Sequence, residues 1–361
     1  MRRPVYFNGK FYGGRLNGVH RVADRLIREC DARLMERSVE ERPEAVLLAP
    51  RSSDWLPDLR AIRIEHTEKT GQFWEQLILP RRAADGVLVN LANLAPIMHR
   101  RKITMIHDVQ FLLADCGYPL RQKLGYRLLA PHIARTSDGV VTVSEYSRRM
   151  LGIFGIAREE HVEVIPNGAD HILEVDADPS IRGELGLASH DYVVMFGSPK
   201  PYKNNAVVFE AFASEALASV RLVVVGPGRA ELEGAGLMPP ANALFAGSIG
   251  DAKLRGLLAG ALALAFPSRT EGFGLPPLEA MLCGCPAIVS PAGAIPEACG
   301  DAATYAGVDD PLAWQEAILN MRDDQAARSS KIDAGYRRAS RFTWKASGAR
   351  LLQLLDRMSL R

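Results

Sequence analysis

Long apolar runs are missing from this chain of 361 residues. No stretch approaches the roughly 20 unbroken apolar residues that a membrane-spanning helix requires. Cysteine is scarce: Cys30, Cys116, Cys283, Cys285 and Cys299 are odd in number and scattered, which excludes a disulfide scaffold and reads as reduced thiols in cores. Cys283 and Cys285 flank one glycine, but no second pair and no nearby histidine completes a zinc site. A strong charge of either sign is also absent, the formal net charge being +2. Residues 1–172 carry +5 and the remainder −3. That tilt is too small for a nucleic-acid footprint and agrees with an N-terminal half that meets an anionic acceptor or membrane surface. The opening MRRPVYFNGKFYGG has neither a long apolar core nor a small-residue cleavage site, so it reads as a first strand and loop rather than a signal peptide. The expected location is therefore cytoplasmic. Repeats and low-complexity tracts are missing as well.

What is present is an ordinary globular balance, 47% hydrophobic and 24% charged, in a length that suits two α/β domains of roughly 170 residues each. Short apolar runs alternate with helical patterns, as in parallel α/β folds. VYFNG, AVLLAP, GVLVN, KITMIHD, DGVVTVS and VEVIPNG read as strands of the first half. YVVMFGS, VRLVVVGPG, NALFAGSI, ALALAFPS, PAIVS and ATYAG read as strands of the second. GVHRVADRLIREC carries a helical stripe of Val19, Val22, Ala23, Leu26, Ile27 and Cys30. NAVVFEAFASEAL, DAKLRGLLAGA, PPLEAMLCG and PLAWQEAILNMRD read as helices of the second half, and the last helix runs from about Trp344 to Met358. A polar segment near Ala169–Pro179 reads as the linker.

In open parallel sheets, ligands sit at the carboxyl ends of strands. The string FPSRTEGFGLPPLEAMLCGCPAIVS stands at such an end. Gly272 and Gly274 let backbone amides approach a ligand, Pro276 and Pro277 suit a first helical turn, and a helix N-terminus attracts phosphate. Glu271 and Glu279, eight residues apart, repel phosphate but accept hydrogen bonds from sugar or ribose hydroxyls. Two glutamates alone fit a plain strand-turn-helix equally well. FGSPKPYKNNAVVFEAF is the second signal: a strand ends at Gly197, and a loop bearing Lys200 and Lys203 leads into a helix, where a cation and the helix dipole act together on a leaving diphosphate. A solvated loop lysine is the plainer alternative. His107, at the end of KITM, is placed to donate to a sugar hydroxyl or to stand beside developing positive charge, or else is structural. In GGRLNGVHR the amides of Gly13, Gly14 and Gly18 are available to phosphates, although the spacing fails G-x-G-x-x-G and Asn17 also reads as a simple helix cap.

In this order the pieces resemble glycosyltransferase family 4. NGKFYGGRLNGVHR, IHDVQF, VVTVSEYSRRML, VEVIPNGAD, KNNAVVFEAF, SRTEGFGLPPLEAM and AIPEACGDAA each match a stretch of that family, and Glu271 to Glu279 is the most specific. The N-terminal half resembles mannosyltransferases of bacterial O-antigen and exopolysaccharide assembly. The resemblance implies an α/β protein of the GT-B fold, with two Rossmann-like domains whose parallel sheets face across a cleft. Residues 1–172 would form the acceptor side, with helix 344–361 crossing back onto it, and residues 173–343 the nucleotide-sugar side. It implies that Glu279 holds the ribose, and that Glu271 with the amides of Gly272, Phe273, Gly274 and Leu275 binds the transferred sugar and its phosphate. Lys203, beside Gly197 and Lys200, would hold the diphosphate, His107 would contact the sugar near its anomeric centre, and Gly14 and Gly18 would line the phosphate and acceptor side. Glu297 would close a turn beneath the site. The chain departs from the pattern where arginines are common: Ser198 and Tyr202 stand there.

The implied reaction is retaining, metal-independent hexosyl transfer, with mannose as the sugar, from a nucleotide diphosphate sugar to a glycan such as a polyprenyl-diphosphate-linked oligosaccharide. No cofactor is expected. Asp176 and Asp178 form an Asp-x-Asp string, but in the linker rather than at a core strand's end. PLRQKLGYRLLAPHIARTSD is either an amphipathic helix presenting Arg121, Lys123 and Arg127 to the anionic inner face of the plasma membrane or an ordinary covering helix. Two rival functions remain: a sugar-nucleotide 2-epimerase of the same architecture, and a non-catalytic glycan-assembly scaffold.

Overall fold

A computed structural model describes the chain apart from residues 1–2, 15, 52–54, 68–70, 72, 114–116, 118, 188–189 and 360–361. Cys116 lies outside the described residues. The chain forms two compact units, one of Met1–Leu112, Tyr118–Asn167 and Trp344–Arg361, the other of Leu113–Gly117 and Gly168–Thr343.

The first unit is built on a seven-stranded sheet of β1 (Val5–Asn8), β2 (Ala45–Pro50), β3 (Arg63–Thr67), β4 (Val87–Asn90), β5 (Lys102–Met105), β6 (Gly139–Thr142) and β7 (Val162–Val164), in the order β3-β2-β1-β4-β5-β6-β7. Every pairing is parallel. The interior strands are mostly apolar and buried, as parallel sheets covered on both faces require; β2 is buried at every position. The edge strand β3, RIEHT, buries only Thr67, which is why no apolar run announces it. The first helix, Gly18–Met35, and the last, Trp344–Ser359, pack against each other in this unit. Gly348 permits the approach, since a Cβ there would lie 2.3 Å from Glu29 Cβ. Arg37 adds a bidentate pair to Asp356 at 2.8 and 2.6 Å.

The second unit has a six-stranded sheet of β8 (Tyr192–Phe196), β9 (Arg221–Val225), β10 (Ala243–Gly247), β11 (Ala263–Phe266), β12 (Ala287–Val289) and β13 (Thr304–Tyr305), ordered β10-β9-β8-β11-β12-β13 and also parallel throughout. The strand order reverses between β1 and β4 in one sheet and between β8 and β11 in the other. Those are the positions at which doubly wound sheets take ligands.

One detail differs from the sequence reading. The stretch read as a linker holds a short helical turn, Asp170–Leu173, in which His171 and Ile172 are buried against helix Leu275–Leu282. Asp178 accepts from Ser180 N at 3.0 Å ahead of helix Ser180–Glu184, an ordinary local turn contact. The described cysteines, Cys30, Cys283, Cys285 and Cys299, are free thiols, and burial raises the pKa of each, to about 12 for Cys30, Cys283 and Cys299. None of the described helices is long and apolar enough to cross a membrane.

Candidate active site

In the second unit, two loops at the switch point are tied together. After β8, Asn205 Oδ1 accepts Ser198 N at 2.6 Å while its amide donates to Phe196 O at 3.2 Å. Asn204 takes a left-handed conformation (φ 54°) and donates to Val308 O at 2.7 Å. After β11, Arg269 N donates to Tyr202 O at 2.8 Å, so the lysine loop and the Glu271 loop share a backbone bond. The result is a direct pair: Lys203 Nζ stands 2.6 Å from Glu271 Oε1, with side chains 28% and 12% exposed. Lys203 also lies 5.3 Å from the Tyr202 ring centroid and 5.6 Å from that of Phe266. Tyr202, at one of the places where arginine is common, is therefore a buried platform; the exposed Lys200 lies 5.8 Å from the same ring. Gly197 has a packing reason, because a Cβ there would meet Val224 Cγ1 at 2.6 Å.

Glu271 leads through buried Gly272 and Phe273 to Gly274, whose φ of 100° and ψ of 59° turn the chain into helix Leu275–Leu282. Pro276 and Pro277 have no N–H, so the backbone donors at this helix start are the amides of Gly274 and Leu275. Phe273 is edge-on to Phe342 at 5.6 Å, which steadies the loop. Glu279 is buried on the helix, its Oε1 2.9 Å from Nε2 of the fully buried His171 side chain, an approach off the direction of a good hydrogen bond. His171 was missed in the sequence because a histidine in a polar turn carries no periodic or motif signal. Gly293, also missed, has φ 62°, and a Cβ there would fall 2.5 Å from Glu271 N. Glu297 O accepts from Arg338 at 2.5 Å, a backbone tie.

In the first unit, His107 follows β5 and is 4% exposed. Its Nε2 lies 2.8 Å from Leu91 O, which sets the tautomer with the proton on Nε2. Its backbone is held from both sides: N donates to Oδ1 of the left-handed Asn93 (φ 66°) at 2.9 Å, and O accepts from Ser147 Oγ at 2.9 Å. Burial drives its pKa down to about 4, against the opposing pull of the Leu91 carbonyl, so the ring is neutral at pH 7. The unfolded chain takes up this proton near pH 6.5 and the folded one only near pH 4. Stability from His107 is thus complete above pH 6.5 and is lost as the pH falls toward 4, by roughly 3 kcal/mol. Denaturant titrations at pH 7 and pH 4 should show a smaller pH effect in His107→Gln than in the parent; equal effects would refute this assignment. Gly14 ends the turn Lys10–Gly13, with His20 Cε1 3.5 Å from where its Cβ would be, whereas Gly18 opens the first helix facing free space. Asn17 is a helix cap, accepting His20 N at 3.0 Å.

Residues 190–324, within the second unit, match the family model described as glycosyl transferases group 1. That segment is a group 1 glycosyltransferase domain. The D-inositol 3-phosphate glycosyltransferase of Segniliparus rotundus is 29% identical over 276 residues, covering 71% of this chain and 60% of its own. The Escherichia coli O-antigen chain mannosyltransferase B is 27% identical over 258 residues, 68% of this chain and 67% of its own. The crystal structure of Anabaena Alr3699/HepE in complex with UDP-glucose matches with a TM-score of 0.72 at 20% identity, over 98% of this chain and 100% of that one. The shared fold is GT-B, and the pair Lys203–Glu271 and helix Leu275–Leu282 lie inside the group 1 domain.

Proposed function

We propose that the protein is a retaining hexosyltransferase that moves a sugar, mannose in our reading, from a nucleotide diphosphate to a glycan acceptor, without a metal ion. The observation that carries the reading is the pairing of Lys203 with Glu271 at 2.6 Å beside a helix start that presents the amides of Gly274 and Leu275. A cation and amides suit the leaving diphosphate, and carboxylates suit the hydroxyls of sugar and ribose. Glu279 takes the ribose and Glu271 the hexose. The bond from that carbon to the phosphate oxygen breaks, the acceptor oxygen bonds on the same face, and the acceptor proton passes to the departing phosphate oxygen. The names of relatives that act as O-antigen mannosyltransferases, and the UDP-glucose complex of a fold relative, support donor and acceptor of these classes. The test is a thermal-shift screen against GDP, UDP, dTDP and ADP sugars, followed by transfer assays with and without chelator. One donor should stabilise the fold and be consumed equally in chelator; strict Mn²⁺ dependence would overturn the mechanism.

We also read the helix Leu120–Arg135 as a peripheral membrane contact on the cytoplasmic face. Leu120, Leu124 and Leu128 recur every fourth residue and are 83%, 59% and 66% exposed, while Ala130, Ile133 and Ala134 face the core. Arg121, Lys123, Arg127 and Arg135 make the helix cationic, and it has no acidic residue. Flotation with phosphatidylglycerol vesicles should fall at least tenfold in Leu124→Asp/Leu128→Asp and in Arg121→Glu/Arg127→Glu. Unchanged binding in both would leave a plain covering helix.

A further inference from the structure

The switch point of the first sheet holds a second polar site, and it takes in Lys10 and Glu75, which the donor chemistry above does not use. Asn8 and Asn90 end the neighbouring strands β1 and β4, and Asn8 Nδ2 donates to Asn90 Oδ1 at 3.0 Å. The same amide lies 3.2 Å from Glu75 Oε1, and Lys10 Nζ stands 2.6 Å from Glu75 Oε2. The Glu75 side chain is 4% exposed and that of Lys10 27%. A cavity of about 370 Å³ opens over these groups, walled also by Phe11, His20 and Leu91. That volume is at the small end of the roughly 300–1,000 Å³ typical of small-molecule sites.

Two features suggest that the site is built for a ligand. Glu75 sits on a π-helical turn, Trp74–Ile78, a rare conformation that recurs at functional positions. The next residue, Gln76, ties this turn to the chain that follows β4: its Nε2 donates to Ala95 O at 3.3 Å and its Oε1 accepts Ile97 N at 3.0 Å. A buried carboxylate is costly, and a hydrophobic pair of similar volume would have served stability as well.

We infer that this cavity is the acceptor's sugar subsite, with Glu75 and Lys10 as the residues that read its hydroxyls; the inference rests on the transferase reading. The ammonium and carboxylate cancel, so a charged group gains little. An anion meets Glu75, and a cation meets Lys10. A neutral polyol fits both, one hydroxyl donating to Glu75 and a neighbour accepting from Lys10, while an apolar ring face lies on Phe11 or Leu91. The subsite therefore selects an uncharged hexose over a phosphorylated ring.

The test is binding, which needs no turnover. Ligand-detected NMR titrations would compare methyl α-mannoside, methyl α-glucoside, methyl α-galactoside and myo-inositol 1-phosphate on the parent, Glu75→Gln and Lys10→Met. At least one methyl hexoside should bind the parent, with an affinity at least tenfold weaker in both folded variants. Affinity for the nucleoside diphosphate should be unaltered. Hexoside binding that both variants retain, binding of inositol phosphate alone, or binding of no probe would each overturn the subsite. Should Glu75→Gln fail to fold, Lys10→Met decides. A protein that binds hexosides in this way but consumes no nucleotide sugar would refute the transferase reading instead.

Discussion

Replacing Lys203 with methionine should slow transfer by about 100- to 1,000-fold, the usual cost of deleting one preorganised group that stabilises a developing anion. Methionine keeps the apolar stem against Tyr202 and Phe266, rings that lie 5.3 and 5.6 Å from Nζ, so the loop has no packing reason to move. Only the positive charge is lost, and with it the partner of Glu271. Glu271→Gln should also be severe, because it removes an acceptor from the hexose and the charge opposite Lys203. The two changes will not add. Lys203 and Glu271 are 2.6 Å apart and, in the proposed mechanism, act on adjacent parts of one donor, so the double variant should fall well short of the product of the single losses. The measurement is kcat and KM for each member of the cycle. Near-parental turnover in a folded Lys203→Met protein would remove the lysine from the mechanism.

The contrast between the site residues shows what a sequence can carry. Glu271, Gly274 and Glu279 stood out as candidates because they lie in a contiguous strand, loop and helix, each part with its own local signal. The strands β2, β8 and β11 were legible because sheets covered on both faces need unbroken apolar runs. β3 was not, since an edge strand with one buried residue has no such need. Helix Gln325–Ala339 escaped for a similar reason: only Gly335 and Ala339 are buried, so it shows no apolar stripe. NAVVFEAFASEAL reads as one helix, yet the helix stops at Ala211 and a separate turn, Glu215–Leu217, is capped by Ser214. His171 and Glu75 were illegible for a deeper reason. Each acquires meaning only from a partner far along the chain, Glu279 for one and Asn8, 67 residues away, for the other. The Lys203–Glu271 contact spans 68 residues in the same way, and sequence alone gave each residue a role without revealing that they touch.

Gly293→Ala should damage both stability and turnover, although the residue touches no proposed substrate. Its φ of 62° already disfavours any side chain. A Cβ there would stand 2.5 Å from Glu271 N, 2.8 Å from Glu271 O and 3.2 Å from Thr270 Cα, all backbone atoms that no rotamer change can clear. Ala294 N donates to Glu271 O at 3.0 Å, so the two loops cannot separate without breaking a bond. Left-handed strain and overpacking together should cost about 2–4 kcal/mol, and the relief must come from moving Glu271. Gly284→Ala is the matched control: φ is 74° there, but a Cβ meets nothing within 4 Å, so only the strain of about 1 kcal/mol remains. Denaturant midpoints and turnover, measured where both variants are fully folded, separate the two effects. Gly284→Ala should lose a little stability and no rate, and Gly293→Ala should lose both. A Gly293→Ala protein with parental turnover would mean that the Glu271 backbone need not be held where it is for transfer to occur.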